Sequence, residues 1–211
     1  IPISLWWEWL MGVDRWLLVR WSSPLELGWY QLADTISLSL LNLTRAGNSQ
    51  AQPRLAHLYH HPERSRRYRW RATGWLALAL IGAAALLLGG RAWVVAQVGG
   101  VGFAPAAAMM GPLVVAYVIV GALQPTYYQL VLQGRTPRLN GWLAGCLGVN
   151  VVLNWLLIPS LGGMGAAWAT LGTMIIYGMG LFFLLNFPAT ATGDVKPLPA
   201  DRDAAAPPPQ T

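Results

Sequence analysis

The sequence predicts an all-α protein, a polytopic bundle of membrane helices. Of its 211 residues 55% are hydrophobic and only 10% are charged, against about 25% charged in soluble domains. Three runs carry no charge at all: residues 72–90, then 92–134, then 139–193. A hydrocarbon layer of ~30 Å asks a helix for about 20 such residues. The runs also lack the strict alternation of a barrel strand, and the only other way to satisfy a backbone in lipid is the helix.

Apolar runs read against turn signals give six helices, at about residues 2–21, 27–44, 73–95, 104–132, 139–158 and 164–187. The first carries Ser4, Glu8, Gly12 and Arg15 on one stripe with Asp14 beside it, at the spacing of a helix face. The second carries Gln31, Thr35, Ser39 and Asn42, widened by Asp34 and Ser37, and is too polar to face lipid all round. Charged groups in a bilayer cost at least ~2.5 kcal/mol each, so those present face a bundle interior or an aqueous cavity. Between the second and third helices, residues 45–71 read as a basic loop, with seven arginines against Glu63.

The fourth helix places Tyr117, Gly121, Gln124 and Tyr128 on one face and contains Pro112 and Pro125. A proline inside a helix removes one hydrogen bond and bends the axis. It is read as a moving part or as a static kink. In the fifth, Asn150 and Asn154 share a face and can bond across the bundle, Asn154 in a packing role. Pro159 with Gly162 and Gly163 is expected to break the run and reverse the chain. The sixth helix then opens on small-residue pairs four apart, Gly162 with Ala166 and Gly165 with Ala169, which let helices approach closely. This hairpin is predicted to be mainly an assembly device.

Arginine is concentrated in alternate connections. It is dense in 45–71, present at Arg135 and Arg138, and absent from the 159–163 turn, while Arg20 faces Glu26 across the first turn. The positive-inside rule then puts the basic loop and the C-terminal tail in the cytoplasm. Clustered Arg with Tyr and Trp also suits nucleic acid, but between membrane helices an attraction to anionic lipid is the better reading. No nucleic-acid partner is expected. His57, His60 and His61 lack the Cys or carboxylate partners of a closed metal set, and neither a metal nor any other cofactor is expected. Cys146 is alone, so it forms no internal disulfide. Residues 189–211, with AAAPPPQT and few apolar side chains, are predicted to form a disordered tail. The chain opens at Ile1 directly in apolar sequence, which reads as the interior of a longer protein.

Three segments together carry a resemblance: DRWLLVRWSSPLELGWYQLADTISL (14–38), QGRTPRLN (133–140) and NVVLNWLLIPSLGGMGAAWATL (150–171). Over residues 2–187 the chain resembles the C-terminal half of polysaccharide-type flippases of the multidrug/oligosaccharidyl-lipid/polysaccharide exporter superfamily. The resemblance implies a twelve-helix transporter of two six-helix lobes, of which this is the second, in a bacterial inner membrane. It implies alternating access, a lipid-linked oligosaccharide as substrate, and a partner lobe of six helices that this stretch does not contain.

On these positions the resemblance implies a cavity lined by Glu8, Arg15, Asp34 and Asn42. Asp14, Tyr117, Gln124, Tyr128 and Asn150 are added as polar groups of a translocation path, and Pro125, Asn154, Pro159, Gly162, Gly165 and Ala169 as packing or hinge positions. Arg15 is the expected pyrophosphate ligand, because a guanidinium presents a fixed fork to phosphate oxygens. Glu8, Asp14 and Asp34 are read either as ion- or proton-coupling groups or as a polar network that only fixes packing. With no G-x-x-x-x-G-K-[ST] motif in the sequence, an ion or potential gradient is expected to drive transport. An exporter of drugs or metabolites and a non-transporting scaffold are the alternatives. An enzyme is not expected, since all three His lie in the basic loop and no nucleophile–base pairing is visible.

Overall fold

In the computed structural model, residues 3–10 and 12–186 are described, and they contain nine α-helices, one short 3₁₀ turn and no strand. The helices are α1 (Ile3–Leu10), α2 (Val13–Trp21), α3 (Pro24–Leu38), α4 (Leu40–His57), α5 (Pro62–Gly89), α6 (Arg91–Gly99), α7 (Ala106–Leu132), α8 (Thr136–Leu161) and α9 (Gly163–Asn186). The predicted disordered tail lies outside the described residues.

The first two predicted helices are each broken, and the breaks matter for the site. Between α1 and α2 the chain turns at Gly12, and Asp14 falls in the first turn of α2. Its carboxylate accepts from the Arg15 backbone N–H at 2.8 Å, the placement that a helix N-terminus favours for an acid. Helix α3 opens on a built start, with Ser23 accepting from Glu26 N at 3.2 Å and Pro24 in the first turn. It ends where the Ser39 hydroxyl donates to Ile36 O at 2.6 Å, a local bond that competes with the helix ladder.

The basic stretch 45–71 is not a loop. Helix α4 runs on to His57, only a tight turn follows, in which His61 N donates to Leu58 O at 2.9 Å, and α5 starts at Pro62. Proline is pre-organised for a first helical turn, and the seven arginines of the segment are good helix formers. Charge alone therefore did not specify irregular backbone. Pro159 is a second correction. It lies inside the last turn of α8, and the reversal itself is made at Gly162, whose φ is +56°.

Helices α7 and α9 form the centre. Helix α7 packs against α3, α4, α5 and α9, while α9 is flanked by α7 and α8, and α8 also packs against α1 and α2. One apolar core joins Leu18, Tyr30, Leu80, Met110, Leu113 and Tyr117; another, between α7, α8 and α9, holds Val120, Leu130, Leu143, Cys146, Tyr177 and Leu181. The outer faces are apolar as well, with Trp75, Leu86, Trp155, Leu156, Met179 and Phe182 exposed.

Among the described residues four helices are long and apolar enough to cross a membrane: residues Glu63–Gly89 of α5, with α7, α8 and α9 at 24 to 27 residues each. At 1.5 Å per residue these lengths cover the ~30 Å of a bilayer core. The first two of the six predicted spans do not meet that standard, because each is interrupted and polar.

Candidate functional site

The polar residues of the broken helices meet at one place. Arg15 Nη2 donates to Asp34 Oδ2 at 2.7 Å, the one ion pair within 4.0 Å among the described residues. The other Asp34 oxygen accepts from the Tyr117 hydroxyl. Asp14 accepts from the Tyr30 hydroxyl, which also lies 3.5 Å from Thr170 Oγ1. Four elements thus contribute: α2 (Asp14, Arg15), α3 (Tyr30, Asp34), α7 (Tyr117) and α9 (Thr170).

Depth and burial distinguish this cluster from a surface pair. Tyr117 is eleven residues into the 27-residue α7, about 16 Å along an apolar helix that could span hydrocarbon. Asp14, Asp34 and Tyr117 are at most 4% exposed and Tyr30 is fully buried, whereas the Arg15 side chain is 42% exposed. Arg15 therefore holds a buried acid through Nη2 while part of its side chain stays exposed. Its Nε has no hydrogen-bond partner. The cluster joins two acids to one base. Burial of charge is tolerated only where partners replace water, and here the two tyrosine hydroxyls complete the carboxylate shells.

Of the residues expected at a cavity, Asp14, Arg15, Asp34 and Tyr117 are brought together. Glu8 is not: it is exposed and borders a separate groove with Trp9, Gly12, Val13 and Trp16, because the turn at Gly12 takes α1 out of register with α2. Asn42 is exposed, and its Oδ1 accepts from Arg45 at 3.4 Å. Gln124 lines a small cleft with Thr44, Asn48 and Gln52, and Tyr128 is partly exposed. Tyr30 was not singled out in the sequence, although it stands four residues before Asp34 and so on the same helix face. Gln31 and Thr35, adjoining Tyr30 and Asp34, are exposed.

Asn150 bonds across the bundle, from α8 to α9. It is 1% exposed and donates to Thr173 Oγ1 at 3.2 Å, while Asn154 Nδ2 donates to Asn150 Oδ1 at 2.9 Å. Thr173 in turn donates to Ala169 O at 2.8 Å. This ladder joins α8 to α9 and gives Asn150 a packing contact. At Gly165 a Cβ would stand 2.4 Å from Leu157 O, so the two backbones are in contact there. Pro125 is buried within α7.

Glu26 does not pair with Arg20. Its Oε2 accepts from Gly163 N at 3.2 Å and from the Ser22 hydroxyl, which places an acid at the start of α9 and ties α3 to the α8–α9 turn. Gly162→Ala is expected to loosen this tie. The backbone there, φ +56° and ψ −134°, is open to glycine alone, and a Cβ would fall 1.9 Å from Glu26 Oε2. The expected loss is about 1–3 kcal/mol, read by equilibrium unfolding in mixed detergent and SDS micelles.

Among the described residues no group of three or more His, Cys, Asp or Glu is placed to hold a metal ion. The chain matches no protein-family model, no curated protein and no solved structure.

Proposed function

We propose that this chain is one lobe of a membrane transporter of the lipid-linked oligosaccharide flippase type, working by alternating access and driven by an ion or potential gradient. The observation that supports this reading is the half-exposed Arg15 held at mid-helix depth by a buried Asp34. A static packing network has no need to leave its one cation facing outward. A carrier of a pyrophosphate-linked cargo does.

In this reading the exposed part of the Arg15 side chain lines the wall that a second six-helix lobe would face. Phosphate oxygens compete with the Asp34 carboxylate for the same guanidinium. When phosphate takes Arg15, Asp34 keeps only the Tyr117 hydroxyl as partner, and a buried carboxylate so stripped calls for a compensating cation. Cargo binding and cation uptake are then coupled through one residue.

The test is Arg15→Lys and Arg15→Ala in the complete transporter, with membrane levels held equal and surface glycan as the readout. Export is expected to fall at least tenfold in the alanine variant and to be only partly restored by lysine, which keeps the charge and loses the fork. Export unchanged in both would remove Arg15 from the cargo site. Export of small toxic molecules lost with glycan intact would favour the drug-exporter alternative.

A further inference from the structure

From a second site, away from the Arg15 cluster, we infer that the chain binds one anionic phospholipid in the groove between α4 and α5. The inference rests on the membrane placement of α5 and not on what cargo is carried. The groove has a volume of about 610 Å³ and is lined on one side by Leu43 and Arg54 of α4 and on the other by Tyr68, Arg71, Trp75 and Ala79 of α5. That is within the ~300–1,000 Å³ of small-molecule sites.

Its polarity is graded along the helix axes. Helix α4 ends at His57 and α5 begins at Pro62, so Arg54 is about 5 Å from the connecting turn and Arg71 about 14 Å, by the 1.5 Å rise per residue. Trp75 and Ala79 follow at steps of about 6 Å deeper on α5, and Leu43 is at comparable depth on α4, about 21 Å from the turn. Cationic and hydroxyl groups thus occupy the end near the turn, and the far end is apolar.

The lining contains two arginines and no Asp or Glu. That gradient matches a phosphate headgroup with an acyl chain below it. It does not match free phosphate, which has no use for the apolar half, or a neutral lipid, which has none for the arginines. Trp75 is 72% exposed, at a depth where an aromatic ring commonly meets the lipid interface. The inference also separates two arginines of the basic stretch from the rest. Arg64 and Arg67 are exposed on α5 outside the groove.

The experiment is native mass spectrometry of the full chain in detergent, titrated with phosphatidylglycerol and, separately, with phosphatidylcholine of the same acyl chains. One phosphatidylglycerol is expected to be retained in preference to phosphatidylcholine. The double variant R54Q/R71Q is expected to weaken its binding about tenfold or more, while R64Q/R67Q, with the same loss of charge, stays within about twofold. A79W, which fills the apolar end and leaves the charge unchanged, is expected to weaken binding too. Equal loss in the two arginine pairs would overturn the site in favour of diffuse attraction. Phosphatidylcholine retained as well as phosphatidylglycerol would overturn the headgroup assignment. Unaltered binding in A79W, or full displacement by millimolar inorganic phosphate, would overturn the seated acyl chain.

Discussion

Asp34→Ala is expected to destabilise the bundle by about 2–4 kcal/mol. Removing one partner of a fully buried pair costs about 3–5 kcal/mol, and the value here is lowered because Arg15 is 42% exposed and keeps some access to water. Two groups lose their acceptor at once, the Arg15 guanidinium and the Tyr117 hydroxyl, and the second is buried in the core. The measurement is the unfolding midpoint in mixed micelles. Arg15→Met combined with Asp34→Leu removes both charges, and the pair together is expected to be more stable than Asp34→Ala alone. Additive losses would mean that the ion pair contributes no coupling. Under the proposed function, the same double variant separates stability from transport, since a well-folded bundle without Arg15 should still fail to export.

The second large effect is expected at Gly165. Leu157 O, Leu157 C and Ile158 N would all lie within 3.0 Å of an added Cβ, and these are backbone atoms that cannot turn aside as a side chain does. Gly165→Ala must therefore push α9 off α8 along the stretch where Asn150, Asn154 and Thr173 bond. Overpacking of this kind costs about 1–3 kcal/mol, and the upper end is expected because the hydrogen-bond ladder is strained with it. Gly148→Ala is the control on the same hairpin: nothing lies within 4 Å of its Cβ position, so it should be neutral or stabilising by up to about 1 kcal/mol. Comparable losses at the two positions would show that helix separation at Gly165 is not what limits stability.

The two predictions probe different parts of the bundle. The Asp34 cluster adds polar bonds to the apolar core shared by α2, α3, α7 and α9, whereas the α8–α9 hairpin combines an apolar core with close backbone approach and one amide ladder. Glu26 links the two parts, since it begins α3 and reaches Gly163 at the start of α9.

Composition and charge-free length by themselves determined that the described chain is helical and that α5, α7, α8 and α9 are long apolar rods, because a hydrocarbon-length run without charge has few other ways to satisfy its backbone. Small residues at a spacing of four also marked the Gly165 contact. Tertiary structure alone decided which polar residues meet. A stripe such as Glu8 to Arg15 is continuous only while the helix is, and the turn at Gly12 sends Glu8 outward and Asp14 inward. Tyr30 and Thr170 acquire their roles only across the bundle, where helices distant in sequence bring hydroxyls to carboxylates. Periodicity fixes the face of one helix. Packing fixes what that face touches.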